Sequence, residues 1–228
     1  MLNTTMMKMT KKQFVEALLN KVYGILTATL LITAGICYAP AYHSEVQDFV
    51  KDKYYILIIA LVGSLVPLFI LYCFTNISKK VPINYILLLT FVLCESVAIG
   101  YLWASISDHE IVMQAALMTI GLTIILTAFA CTTWIDFTIC WGAVFILSAA
   151  VLMFGIFAAI YRDNYLHIMY CSLGILVYGF YLIIDTQLIM GGKNWELSED
   201  DYIIGALILY IDIITIFIYM LSLFSRRG

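Results

Sequence analysis

The sequence predicts an all-α integral membrane protein with seven transmembrane helices, and two observations carry this prediction. Of the 228 residues, 64% are hydrophobic and 12% are charged, whereas an ordinary soluble domain has about 45–50% apolar and about 25% charged residues. Seven stretches of the chain are also apolar over about 20 residues, the length that a helix needs to cross a bilayer. A chain of this composition is expected to fold in lipid rather than in water.

The seven stretches lie near residues 22–39, 54–74, 83–106, 111–130, 137–160, 165–190 and 202–224. Their connections are short, so consecutive helices are expected to pack as antiparallel neighbours. We therefore divide the chain into a short cytosolic N-terminal segment at 1–21, a single seven-helix transmembrane domain at 22–225 and a basic C-terminal tail at 226–228. The first stretch is too long for the apolar core of a cleavable signal peptide and is interpreted as a retained span.

Lysine and arginine residues near the ends of the spans indicate the orientation of the chain. With the N-terminus in the cytosol, seven of these cations lie on the cytosolic side and five on the other side. If the last stretch re-entered the membrane instead of crossing it, Arg226 and Arg227 would also be cytosolic. The charges thus favour two cytosolic termini, whereas the length of the last stretch favours a seventh full span, which we adopt. The net charge of −3 and the lack of a long basic run argue against a nucleic-acid partner.

Three acidic residues lie inside the predicted spans, where an ionisable side chain is costly and marks a functional site by default. They are Glu95 in the third span, Asp185 in the sixth and Asp212 near the middle of the seventh. No lysine or arginine occurs in the middle of any span, so ion pairing cannot neutralise these carboxyls. Hydrogen bonds, a shared proton, a bound cation or water remain as the ways to satisfy them.

Asp185 and Asp212 flank one short loop and therefore lie on neighbouring antiparallel helices. Their expected offset along the helix axes is about 7–8 Å at a rise of ~1.5 Å per residue, a gap that helix tilt or side-chain reach can close. Two carboxyls that meet would share a proton and titrate as a pair. Such a pair attracts calcium but offers too few oxygens to hold it permanently. It would suit transient binding in a path that ions pass through.

The same residues also permit a purely structural interpretation, in which nearby hydroxyl groups satisfy the carboxyls by hydrogen bonds. The candidate hydroxyls are those of Tyr178 and Tyr181 for Asp185, of Thr215 and Tyr219 for Asp212, and of Ser96 for Glu95. Two further polar residues, at the ends of spans, are interpreted as structural. Asp136 is expected at a helix N-terminus, and Ser198 is expected to cap the last helix with Asp201 in its first turn.

Several motifs resemble those of the lifeguard proteins in the transmembrane BAX-inhibitor-motif family. Residues 184–191 (I-D-T-Q-L-I-M-G) are similar to its D-T-Q-L-[LI]-M-G motif, and residues 198–214 are similar to its S-P-E-E-Y-I-x-G-A-L…Y-L-D-I-I motif. The D-F-T at 136–138 with Gly142 and the K-V-Y-G-I-L at 21–26 are similar to two further family stretches. The resemblance covers essentially residues 20–225 and is most specific in the last third.

This resemblance implies a seven-helix fold with the C-terminal helix at its centre. It also implies a pH-sensitive calcium leak across an intracellular membrane, with regulation of calcium homeostasis and suppression of cell death. Asp185 and Asp212 match the two motif aspartates of the family's pH sensor, and Glu95 falls where many members have an acidic residue. We expect the endoplasmic reticulum or the Golgi, with the plasma or endolysosomal membrane as alternatives.

The predicted ion pathway combines the three intramembrane acids with an acidic mouth on the cytosolic side. Glu196, Glu199 and Asp200 would form this mouth and concentrate cations there. Calcium is then a transported ion, and we expect no cofactor. The expected partners are the lipid bilayer, calcium ions and protons, together with other anti-apoptotic membrane proteins.

A non-transporting adaptor, which inhibits cell death by binding other membrane proteins, is the alternative function. An enzyme is not expected, because neither intramembrane aspartate has the G-x-G-D or Y-D context of an aspartyl protease. The chain also departs from the family pattern in two places. It has no long Pro/Gly/Tyr-rich N-terminal tail, and no arginine in the second span is present to pair with Asp185.

Overall fold

The computed structural model describes residues 2–42, 44–106, 108–191 and 198–225, and all of its regular secondary structure in these ranges is helical. The long helices are α1 (Leu2–Tyr42), α3 (Tyr54–Cys73), α5 (Ile83–Ser105), α6 (His109–Thr132), α7 (Trp141–Tyr161), α8 (Asn164–Ile189) and α9 (Tyr202–Ser225). Short helices α2 (Ser44–Lys51) and α4 (Thr75–Ser78) lie in the connections, and 3₁₀ turns at Phe137–Cys140 and Glu199–Asp201 precede α7 and α9.

Seven of these helices are long and apolar enough to cross a membrane, which confirms the predicted fold class. The candidate spans are Val15–Tyr38, Tyr54–Cys73, Ile83–Ser105, His109–Thr132, Phe137–Tyr161, Asn164–Ile189 and Tyr202–Ser225. The first helix begins much earlier than the predicted span, because the polar stretch at 2–21 continues the same helix. The last span is one continuous helix of 24 residues, about 36 Å long at ~1.5 Å per residue, as a full crossing requires.

Helix α9 is the most buried of the seven. In its most apolar stretch 56% of the residues are buried, against 17–39% for the other spans. A helix surrounded by other helices shows this pattern, because lipid covers only a small part of its surface. The burial agrees with the expectation that the C-terminal helix is central.

One compact unit contains the described parts of Met1–His109 and of Leu197–Tyr210. Within it, α5 packs against α1 and α3, and its core includes the fully buried Val22 and Val92. A buried polar chain also crosses this core. The Ser96 hydroxyl lies 3.0 Å from Thr33 Oγ1, and Thr33 Oγ1 lies 2.8 Å from the Tyr210 hydroxyl.

The other compact unit contains the described parts of Glu110–Glu196 and of Ile211–Gly228. Its helices α7 and α8 pack against each other around a core of Val144, Val151, Val177 and Ile184. Asp136 directly precedes the 3₁₀ turn that leads into α7, and it accepts a hydrogen bond from the Thr138 backbone N–H at 3.1 Å. This confirms the interpretation of Asp136 as a structural residue at a helical N-terminus. The division of the chain at 1–21, 22–225 and 226–228 stays a prediction.

Candidate functional site

Asp185 lies in the last turns of α8, on a run of residues that is buried throughout. Every residue from Leu182 to Gln187 is buried, and Asp185 itself is 9% exposed. A stretch that buries side chains on all sides of a helix is surrounded by protein rather than by lipid. The aspartate is therefore held inside the protein, where its carboxyl needs partners of its own.

Asp212 on α9 supplies such a partner. It is 4% exposed, and its carboxyl lies within hydrogen-bonding reach of that of Asp185. Two carboxylates have only acceptor atoms, so a hydrogen bond between them forms only when one of the two groups holds a proton. The structure thus brings the two predicted residues together, and the sharing of a proton between them stays a prediction.

Two of the three tyrosine hydroxyls that could have satisfied the aspartates have other partners, whereas Tyr178 lies close enough to Asp212 to interact with it electrostatically. Tyr181 donates to Ser148 Oγ at 3.2 Å, and the Tyr219 and Tyr170 hydroxyls lie 3.2 Å apart. The Tyr178 ring packs against the Tyr219 ring with a centroid distance of 5.9 Å. These aromatic rings belong to the same compact unit as the pair, and of their hydroxyls only those of Tyr170 and Tyr219 contact each other within the described part of the chain.

Two buried oxygen atoms of this region have no hydrogen-bond partner among the described residues. They are Asp212 Oδ2 and the hydroxyl oxygen of Thr186, which follows Asp185 in the sequence. A buried oxygen without a partner costs free energy on the order of 1–3 kcal/mol. The Asp212 oxygen is of the carboxylate type that calcium accepts, whereas the Thr186 hydroxyl is a second buried polar atom on the same stretch of α8.

Gln187 is a positioning residue that sequence reasoning missed. Its Oε1 accepts a hydrogen bond from the Phe137 backbone N–H at 2.8 Å, and its Nε2 donates to the Ile135 carbonyl at 2.9 Å. The amide thereby clamps the end of α8 to the chain that leads into α7. A polar residue inside the apolar stretch at 182–189 was the available signal, because a buried amide requires such partners.

Glu95 belongs to the other compact unit and is half-buried on α5. It lies close enough to Cys94 and Tyr210 to interact with them electrostatically. The neighbouring Ser96 hydroxyl donates to the Val92 carbonyl at 2.6 Å and lies 3.0 Å from Thr33 Oγ1, so its contacts lie away from Glu95. The role of Glu95 in an ion pathway stays a prediction.

The predicted acidic mouth is only partly within the described residues. Glu196 lies outside them, as does the side chain of Glu199, while Asp200 is exposed to solvent. The predicted cap is confirmed: Ser198 and Asp201 form a reciprocal capping box at the start of the last helix.

Lys79 ties this capping box to the turn after α4. Its Nζ lies 3.1 Å from Asp201 Oδ1 and donates to Ser198 Oγ at 3.0 Å. Partial burial opposes the ionisation of Asp201, but the hydrogen bonds from Ser198 and Lys79 outweigh it and lower the pKa of this carboxyl.

No group of three or more His, Cys, Asp or Glu side chains that could hold a metal ion occurs in the described ranges. The Asp185–Asp212 pair provides four carboxyl oxygens, fewer than the 6–8 oxygens that a calcium ion takes. This number of ligands suits weak, transient binding.

These features define the class of protein: a multi-pass helical membrane protein with seven candidate spans and a buried pair of aspartates. The particular family follows from comparison with known proteins. Residues 15–228 match the family described as "Inhibitor of apoptosis-promoting Bax1", and the chain belongs to that family. Its helices therefore lie in contact with lipid, and the family points to a role in the regulation of apoptosis.

Individual relatives confirm the resemblance inferred from the motifs. The chain is 33% identical to Protein lifeguard 3 of Homo sapiens over 217 residues, which cover 92% of this chain and 68% of the relative. It is 31% identical to Protein lifeguard 3 of Mus musculus, over 93% of this chain and 70% of the relative. Protein lifeguard 4 of Mus musculus is 30% identical over 90% of this chain and 83% of its own length.

Proposed function

We propose that this protein is a pH-sensitive calcium leak channel of the endoplasmic reticulum or Golgi membrane, which regulates calcium homeostasis and thereby suppresses apoptosis. One observation carries the proposal. Asp185 and Asp212 lie on candidate membrane-spanning helices, are buried, and lie within hydrogen-bonding reach of each other without a cationic partner among the described residues. Intramembrane acids in this state are typical of ion and proton pathways.

The shared proton is the proposed gate. While one carboxyl holds the proton, the hydrogen bond connects α8 to α9 and the path is closed. Loss of this proton leaves two negative charges side by side, and their repulsion separates the carboxyls. The separated pair then offers its oxygens, including Asp212 Oδ2, to a passing cation. Two carboxylates bind calcium weakly enough to release it again.

Calcium efflux from liposomes tests this gate. Purified wild-type protein is compared with Asp212→Asn in calcium-loaded liposomes between pH 5 and pH 8. We expect wild-type efflux to increase with pH, because deprotonation opens the path. In the variant, the amide that replaces the carboxyl of Asp212 still donates to the carboxylate of Asp185, so the pair stays bridged and efflux should stay low at every pH.

A matched control separates the buried pair from a general effect of charge. Asp52→Asn removes an exposed aspartate in the connection before α3 and should keep the wild-type profile of efflux against pH. Equal efflux from wild type and Asp212→Asn at every pH would exclude the pair as the gate. Wild-type efflux no greater than that of empty liposomes would exclude the channel itself.

The second candidate function is a non-transporting adaptor, and the name of the family favours it. That name describes inhibition of an apoptosis-promoting protein, which direct binding would achieve without ion flux. The two functions are distinguished in cells with the double variant Asp185→Asn, Asp212→Asn. Protection from death by a folded double variant that transports no calcium would favour the adaptor, whereas loss of protection together with flux would favour the channel.

A further inference from the structure

A cavity of about 530 Å³ lies between α7 and α8, at the end where the two helices are joined. Small residues line one side, and polar or cationic side chains line the other. The lining residues are Gly155, Ala158, Ala159, Arg162, His167 and Tyr170. The cavity volume is within the range of about 300–1,000 Å³ that is typical of small-molecule sites, and neither member of the aspartate pair contributes to its lining.

The ends of α7 and α8 place the mouth of this cavity at the expected level of the lipid headgroups. Helix α7 ends at Tyr161 and α8 begins at Asn164, so Arg162 lies at the membrane boundary. Tyr161 and Tyr165 are 64% and 80% exposed there, as expected for aromatic residues that anchor a protein at the bilayer surface. According to the predicted orientation, this is the non-cytosolic surface.

The cavity also extends from this boundary into the hydrocarbon region. Gly155 lies about 9 Å before the end of α7, at a rise of ~1.5 Å per residue. The headgroup region of one leaflet is only about 5–8 Å thick. A ligand that fills the cavity therefore needs a polar part near Arg162 and an apolar part beside the small residues of α7.

The polar end of the cavity carries groups that recognise phosphate. The Arg162 guanidinium is a planar set of donors that matches the oxygens of a phosphate. Ser222 orients the His167 ring, because its Oγ and carbonyl oxygen lie 3.0 and 3.3 Å from the ring nitrogen Nε2. Among the described residues every hydrogen-bond contact of this ring uses Nε2, so Nδ1 is the ring nitrogen available to a ligand.

Tyr170 fixes the depth of the cavity. Its ring lies directly over Gly155, where an added Cβ would collide with the ring atoms. Its hydroxyl is held 3.2 Å from that of Tyr219, so the ring cannot swing away without losing this contact. The small residues of α7 thus leave space beside the helix, and the Tyr170 ring forms the inner end of the cavity.

We propose that this cavity binds an anionic glycerophospholipid, with the phosphate at Arg162 and His167 and the upper part of an acyl chain against Ala158 and Ala159. A soluble phosphate ester would fill only the outer end, whereas a lipid uses both the cationic mouth and the apolar depth. The inference goes beyond the proposed calcium leak and does not depend on it.

Native mass spectrometry of the detergent-purified full chain tests the site. Three probes are added in turn: phosphatidic acid, diacylglycerol with the same acyl chains, and glycerol 3-phosphate. We expect phosphatidic acid to bind at least about tenfold more tightly than diacylglycerol, because a charge-assisted hydrogen bond to the phosphate is worth about this factor. It should also bind at least about tenfold more tightly than glycerol 3-phosphate, because only the lipid buries acyl methylene groups. Arg162→Gln should remove most of this preference, whereas Lys80→Gln, which removes an exposed charge at another turn, should leave it unchanged.

A second variant tests the apolar end without changing any charge. Ala159→Leu places a larger side chain in the cavity and should weaken binding of phosphatidic acid, while the melting temperature reports whether the protein is folded. Equal binding of phosphatidic acid and diacylglycerol to the wild type would overturn the proposal, because any lipid would then bind. Glycerol 3-phosphate binding as tightly as phosphatidic acid would also overturn it, since the site would recognise a soluble anion.

Discussion

Replacement of Gly174 by alanine is the sharpest test of the packing between α8 and α9. A Cβ built on Gly174 lies 2.5 Å from Cε1 of Tyr219, whereas carbon atoms in ordinary contact are about 3.5–4.0 Å apart. The ring of Tyr219 must therefore move by about 1 Å or more. It is held on its other sides by Tyr170 and Tyr178, at centroid distances of 5.4 and 5.9 Å.

The free-energy cost of this substitution has three parts. Forcing an extra carbon into a packed region costs about 1–3 kcal/mol, and loss of the hydroxyl contact between Tyr219 and Tyr170 costs about 1 kcal/mol. Replacing glycine within a helix returns about 0.5–1 kcal/mol. We expect Gly174→Ala to lower the free energy of unfolding by about 1–3 kcal/mol.

Gly121→Ala is the matched control, because a Cβ at Gly121 on α6 would meet nothing within 4 Å. This variant should be as stable as the wild type or more stable by up to about 1 kcal/mol. Both are measured by unfolding in mixed micelles with increasing dodecyl sulfate, followed by circular dichroism. Addition of Tyr219→Leu to Gly174→Ala should recover part of the loss. Equal stability of the Gly174 and Gly121 variants would refute the argument.

Three further predictions use the same unfolding assay. Gln187→Leu leaves the backbone groups of Ile135 and Phe137 unpaired and should lower the free energy of unfolding by about 2–4 kcal/mol. Gln114→Leu, at an exposed position of α6, should leave it unchanged, and similar values for the two variants would contradict the role of Gln187. Tyr210→Phe removes the hydroxyl that contacts Thr33 and should cost about 1 kcal/mol, so an unchanged stability would count against the buried polar chain. The pKa of Asp201 is lowered from the ordinary value of 3.8, so this carboxylate stabilises the fold above that pH and loses the contribution as pH falls through the lowered pKa. The difference in stability between wild type and Asp201→Asn should therefore shrink below about pH 4. A difference that is the same at every pH would argue against an ionised carboxyl at this position.

The spans could be predicted from the sequence because a lipid environment requires about 20 consecutive apolar residues, whatever the helices pack against. The predicted second span at 54–74 and the observed helix Tyr54–Cys73 differ by one residue. The start of the first helix was not predictable in this way, because a helix can continue beyond the bilayer through polar residues such as those of 2–21. Helix α2 in the first connection carries no spanning signal and was missed for the same reason.

The sequence predicted which aspartates form the candidate site but not the hydrogen bonds around them. An acid inside an apolar stretch is conspicuous, and this singled out Asp185 and Asp212. Their hydrogen-bond partners depend on which helix faces which, and spacing along one helix does not specify that. Tyr181 shares the helix face of Asp185, yet its hydroxyl bonds to Ser148 on α7. The clamp made by Gln187 to residues about 50 positions earlier is equally a tertiary contact.

The dependence of the buried hydroxyls on α9 has a consequence for biosynthesis. Thr33 and Tyr210, whose hydroxyls meet in the core, are separated by 177 positions in the chain. A ribosome that adds about 5–20 residues per second needs roughly 10–35 seconds to make the intervening polypeptide. During this interval the hydroxyl of Thr33 lacks its final partner. Within its own helix, however, this hydroxyl can donate to the Thr29 carbonyl 3.0 Å away, as Ser96 donates to Val92. The first helices can therefore be inserted with these groups satisfied, and only the contact with Tyr210 has to wait for α9.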